Sequence, residues 1–173
     1  MRHFLAALLL NCLFVQPVDA CDPHRSYPFQ PERDKKASYE DPVTGYSENL
    51  PVLIVKEVEV VREYRGGFSC DDISFLIVKM EIPQSSSYSF EDFGVYFRVV
   101  KGENILDSSA YPFETFSMVG KVGVYKLVWI EENPEHRKPL DIVIEAFVVA
   151  HDLKLGSAVK FDVKSTGGKK IID

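Results

Sequence analysis

Hydrophobic and polar positions divide the chain into six apolar runs of strand length: Val52 to Tyr64, Ile73 to Ile82, Phe93 to Val100, Val122 to Ile130, Leu140 to His151 and Ala158 to Lys164. Each is rich in β-branched and aromatic residues, and turn residues such as Gly66-Gly67, Pro83 and Lys101-Gly102 separate them, the pattern of strands joined by short connections. Successive strand side chains point to opposite faces. In the last run Val159, Phe161 and Val163 therefore share a dry face, opposite Lys160, Asp162 and Lys164. Leu76, Val78, Met80 and Ile82 form the inward set of the second run, with Lys79 and Glu81 turned away. Leu140, Ile142, Ile144, Ala146 and Val148 form that of the fifth, opposite Asp141 and Glu145. The fourth run resists this reading: Tyr125, Leu127 and Trp129 alternate with Val124, Val128 and Ile130, so both of its faces are apolar.

Strands with one polar face belong to antiparallel sheets packed face to face, since parallel strands covered on both sides are apolar throughout. No stretch holds a 3.6-residue period, so little helix is expected. A short seventh strand is expected between Glu103 and Met118. The fold class read from these patterns is all-β, an antiparallel sandwich of about seven strands over residues 50–165, with 166–173 as a flexible tail. The end of the chain, I-V-I-E-A-F-V-V-A-H-D-L-K-L-G-S-A-V-K-F-D-V, resembles the last hairpin of a fibronectin type III domain, its loop running from Asp152 to Ser157. That resemblance implies a sandwich of the fibronectin type III or immunoglobulin-like kind. The stretch from Cys70 onward also resembles uncharacterised exported bacterial proteins, and it brings no activity with it.

Residues 1–20 have the three-part layout of a secretory signal: Arg2 and His3, the apolar run Phe4 to Val15, then Q-P-V-D-A. The run is shorter than the roughly 20 residues that span a bilayer, so it is read as a signal cut after Ala20, with no transmembrane span. Between it and the sandwich, residues 21–49 carry four prolines, many charges and almost no aliphatic residues. Such a stretch has little to bury and is expected to be a disordered or loosely docked arm. Its tyrosines Tyr27, Tyr39 and Tyr46 are expected to lie on the parent domain, with docking to a partner as the alternative.

Export changes the reading of the cysteines, because paired thiols oxidise outside the cytoplasm. A Cys21–Cys70 disulfide would close a loop of about 50 residues, worth about 4 kcal/mol on the chain-entropy model. Alternatively, Cys21 carries a lipid anchor, as the first residue of a bacterial lipoprotein does, or Cys70 stays free. The net charge of −6 is spread along the chain and repels phosphate backbones, which argues against nucleic acid.

The chain offers few chemical groups for catalysis. His24 lies in the arm, His136 in a charged loop and His151 at a strand end, and there is no G-x-S-x-G elbow. No His/Cys cluster has zinc spacing. Asp71-Asp72 and Glu131, Glu132 and Glu135 are oxygen-rich but lack the alternation of a calcium loop, and are read as solvated charge. Neither metal nor cofactor is expected. What remains is aromatic: S-S-A-Y-P-F-E-T-F-S-M, Ser108 to Met118, places Tyr111, Phe113 and Phe116 in a connection at the edge or end of the sandwich. Those rings either plug the sandwich or recognise a partner, a protein or glycan. The expected function is a non-catalytic binding or structural module, exported to the periplasm, cell envelope or beyond in a Gram-negative bacterium; an accessory domain beside a secreted hydrolase is the alternative.

Overall fold

A computed structural model describes residues 25–29, 49–62, 73–106, 111–131 and 137–166. The signal, most of the arm, Cys21 and Cys70, His24 and His136, Asp71 and Asp72, Glu132 and Glu135, and the last seven residues lie outside the described set. Seven strands form in chain order: β1 (Ile54–Arg62), β2 (Ile73–Glu81), β3 (Phe93–Lys101), β4 (Ser117–Val119), β5 (Val122–Ile130), β6 (Leu140–Ala150) and β7 (Val159–Ser165). Among the described residues there is no helix. Every pairing is antiparallel, giving a four-stranded sheet in the order β1-β2-β5-β4 and a three-stranded sheet in the order β3-β6-β7.

The two inner faces bury the sets that alternation selects. Leu76, Val78, Met80 and Ile82 from β2 meet Ile142, Ile144, Ala146 and Val148 from β6, with Phe93, Val95 and Phe97 supplied by β3. Leu50 and Leu53, just before β1, belong to the same core. The ambiguity of β5 resolves in favour of its aromatics: Tyr125, Leu127 and Trp129 are inside. Tyr125 sits edge-on to Phe97 with ring centroids 5.2 Å apart, and Phe90 closes the cluster at 6.3 Å. The Tyr125 hydroxyl has no hydrogen-bond partner there, and burial pushes its phenol above the ordinary pKa.

The outer faces are drier than a single polar face per strand would make them. Phe75 points away from the core yet is buried, with the Lys126 ammonium 4.1 Å from its ring centroid. Glu145, also outward, is buried and held by Arg98 and Lys160. At one end of the sandwich Arg62, buried, lies 3.1 Å from Glu131 and donates to the Lys138 carbonyl at 2.6 Å. Ser74 donates to the same carboxylate at 3.0 Å. Such a knot satisfies a buried cation that would otherwise be costly.

Two margins complete the sandwich. At one, β1 and β7 run side by side. At the other the chain crosses from β3 to β4, and there the hairpin into β5 turns on Gly120-Lys121. A positive φ of 59° at Gly120 fits the two-residue turn that wants glycine first.

Candidate functional site

The margin between β3 and β4 is built by two segments far apart in sequence. Phe113 pairs with Val95 through both backbone bonds, at 2.9 and 2.8 Å, which extends the three-stranded sheet by one residue. Its ring lies 6.3 Å from Phe97 and packs against the core. Residues 25–29 then line up on the other side of the connection. Pro28 bridges to Phe113, the Phe29 N–H donates to the Pro112 carbonyl at 2.7 Å, and the Glu114 N–H donates to the Tyr27 carbonyl at 2.8 Å. A bridge position suits proline, which has no N–H to place in a ladder.

The same short segment reaches the other sheet. The Ser26 N–H donates to the Lys126 carbonyl at 3.0 Å, and the Lys126 N–H donates to Ser26 Oγ at 3.1 Å. Phe29 seats over Gly94: a Cβ at that position would stand 2.5 Å from the Phe29 Cβ, so the notch exists only because residue 94 is glycine. His151 stacks on the Phe29 ring at 4.7 Å. This part of the arm is thus firmly seated, with Ser26 and Phe29 both buried.

The three aromatic residues singled out in the connection divide. Phe113 is partly buried as a plug, whereas Tyr111 is 38% and Phe116 45% exposed. Sequence reasoning named Tyr27 in the arm but had no means of joining it to this segment, and it left out Val119. Tyr27 is 61% exposed beside Glu114, and Met118 and Val119 on β4 are 43% and 84% exposed. Phe116, Met118 and Val119 follow one another along the β4 margin, with Met118 and Val119 on opposite faces of the strand, and the Tyr27 carbonyl joins the same connection at Glu114. Among the described residues no strand pairs with the outer side of β4.

The exposed charges at this margin are Arg25 and Glu114, at the end away from β4. From Thr115 to Tyr125 the one ionisable cation is Lys121, and its ammonium is tied to the Ser86 and Tyr88 carbonyls at 2.9 and 2.6 Å. Lys126 lies at the margin's inner border, 5.6 Å from the Phe116 ring, and desolvation lowers its pKa. The other sheet edges differ. β1 carries Lys56, Glu57 and Glu59, and β7 carries Lys160, Asp162 and Lys164, charges of the sort that keep edges from pairing.

No family model, curated protein or solved structure matches the chain. The functional reading therefore rests on this geometry. Among the described residues no three His, Cys, Asp or Glu side chains come together to hold a metal, and Glu131 is taken up by Arg62 and Ser74. No helix among them is long and apolar enough to cross a membrane.

Proposed function

We propose that the protein is a non-catalytic, exported immunoglobulin-like module of the cell envelope that binds a protein partner along the β4 margin. The observation that carries the reading is the set of Tyr27, Tyr111, Phe116, Met118 and Val119, all exposed at or near one margin of the sandwich. Exposed apolar clusters of this kind mark recognition surfaces. Tyr and Phe add large contact area at few rotatable bonds. A glycan is disfavoured as the partner: Met118 and Val119 offer area without hydrogen bonds, and sugar hydroxyls laid on them would be desolvated unpaired.

The immunoglobulin-like assignment draws support from strand order. First, second, fifth and fourth strands in one sheet, with third, sixth and seventh in the other, is the division of constant-type immunoglobulin domains. Such a scaffold holds recognition elements rigidly without dictating their target. Export is supported by the layout of residues 1–20.

The test compares the wild type with the double variant Tyr111→Ser/Phe116→Ser, both produced with the export segment in the native host and recovered after mild chemical cross-linking of intact cells. Tyr111 is 38% and Phe116 45% exposed, so a melting temperature of the variant within about 2 °C of the wild type is required alongside, as the sign that the fold is intact. The reading predicts that a specific cross-linked species of the wild type is lost in the variant. Equal recovery of every cross-linked species from both proteins would contradict it.

A further inference from the structure

We infer that the groove under residues 25–29 is an acceptor site for an extended peptide segment of the form Ser-x-Pro-Phe presented by another protein, and that the chain's own arm fills it as an autoinhibitory strand. This groove lies beside the exposed margin and is a second, separate site.

The groove is built without the arm. Phe113 is fixed to β3 by both of its backbone bonds to Val95, which leaves the Pro112 carbonyl and the Glu114 N–H turned to the other side. Lys126 on β5 presents a backbone carbonyl and an N–H beyond the reach of β4, whose pairing ends with Ser117 opposite Val124. The notch at Gly94 adjoins these backbone groups, and the missing side chain there leaves space for a ring. Val149, the partner of Gly94 on β6, faces outward by alternation and is nevertheless fully buried.

The seated arm shows what this groove reads. Its backbone finds strand-type partners at Pro112, Glu114 and Lys126, which any extended segment can satisfy. Three side-chain positions add selectivity. Ser26 Oγ accepts the Lys126 N–H at 3.1 Å, and the residue is buried. Pro28 stands at the bridge to Phe113, where its missing N–H leaves nothing unpaired. Phe29 fills the notch beside His151 and is buried as well. Tyr27, between them, points to solvent and is not selected. Strand addition of this kind takes affinity from main-chain bonds and specificity from the pockets.

Tethering sets when a partner enters. Residues 30–48 join the arm to the sandwich, and a tether of that kind holds its segment at an effective concentration on the order of 1 mM. A competing segment must exceed that concentration or fit better, which makes the arm a threshold on binding.

The test is amide hydrogen exchange of the full processed chain with the synthetic peptide R-S-Y-P-F-Q-P, the sequence of residues 25–31. Ser26→Ala/Phe29→Ala removes the arm's two buried anchors. It is expected to speed exchange at the Glu114 and Lys126 amides about tenfold or more, while β2 and β6 keep their protection as the sign of an intact fold. Adding the peptide at about 1 mM is expected to slow those two amides again about threefold, as a dissociation constant of about 0.5 mM gives. The peptide R-A-Y-P-A-Q-P is expected to have no such effect. Adding Gly94→Val to the variant, which puts a Cβ where the ring sits, is expected to abolish the slowing. Where the double variant does not fold, Phe29→Ala alone, read at Glu114, makes the same comparison. Unchanged exchange in the variant, peptide that leaves both amides unprotected, or protection that survives Gly94→Val overturns the inference. None of these outcomes touches the cross-linking of Tyr111→Ser/Phe116→Ser, which tests the exposed margin alone.

Discussion

Tyr125→Phe is expected to stabilise this protein, although the substitution at a buried tyrosine ordinarily removes a hydrogen bond and costs stability. Tyr125 is fully buried among Phe90, Phe97 and the β2 and β6 aliphatics, and its hydroxyl has no partner. An orphaned buried hydroxyl costs about 1–3 kcal/mol of desolvation. Deleting it leaves a void of one oxygen, which gives back part of the gain, so the net expectation is about 1 kcal/mol in favour of the variant. For a domain of roughly 150 residues that raises the melting temperature by about 2–4 °C. Urea titration at pH 7 should show a higher midpoint with an unchanged slope, the signature of altered stability without an altered unfolded state.

The same residue has a pH signature whose sign follows from its environment. Burial raises the Tyr125 pKa in the folded state above the ordinary value of about 10. Above that pH the unfolded chain releases a proton that the folded chain keeps. Stability from this group is therefore complete below about pH 10 and declines as pH rises beyond it, by about 1.4 kcal/mol per unit. Tyr125→Phe lacks that proton, so its advantage over the wild type should widen above pH 10. A variant less stable than the wild type by about 1 kcal/mol at pH 7 would refute the reasoning by showing that the hydroxyl is partnered, and an advantage independent of pH up to about 11 would refute it by showing that burial does not raise the phenol's pKa.

Three further outcomes test the packing of the margin, the polar knot and the cysteines. Phe29→Ala should cost about 2 kcal/mol, the burial energy of one aromatic ring; Gly94→Val should unseat the same ring, read out as lost hydrogen-exchange protection at the Ser26 and Phe29 amides while β2 and β6 stay protected. Glu131→Gln should destabilise by about 3 kcal/mol in denaturant titration, because it leaves the buried Arg62 guanidinium without its counter-charge. Ser26 is anchored at Lys126, and Ile73 stands opposite Ile130 on the same strand, which puts Ser26 and Ile73 roughly 17 Å apart by strand geometry. A chain of five residues back to Cys21 and three back to Cys70 can extend about 27 Å in all, more than that separation, so chain length allows a disulfide. Intact-mass measurement is expected to show an N-terminus at Cys21 and a gain of about two mass units on reduction, one disulfide; a diacylglycerol adduct on Cys21 would exclude that bond.

Much of the sandwich was legible because burial on one face leaves a period of two. β2, β6 and β7 each carry that period; the inward residues of β2 and β6 are buried, as is Val163 of β7, with Val159 and Phe161 partly so. β5 was undecidable because its outer face is largely apolar as well: Val128 stands opposite the outward Phe75, itself buried under Lys126, and Val124 and Ile130 share that face. Local alternation registers how dry each face is, and two dry faces give no sign of which one is the core. The margin was harder still. Its contacts join residues 100 apart in the chain, Ser26 to Lys126, and a proline-rich segment with few aliphatics shows nothing locally of the notch at Gly94 that receives it. A short strand was expected between Glu103 and Met118, but β4 is the three residues Ser117–Val119, too short for any period to place it or to mark Val119 as exposed.

The central claim, contact along the β4 margin, is tested most directly by a photo-cross-linking scan in the native host. A photoreactive phenylalanine analogue is placed in turn at Tyr27, Tyr111, Phe116 and Val119, and at Lys160 and Lys164 on the opposite margin. All six positions are exposed or largely so, so the analogue is tolerated at each and samples whatever lies against the protein. The account predicts adducts of one defined mass from the β4 positions and none from β7. Adducts from Lys160 and Lys164 with none from Phe116 or Val119 would contradict it.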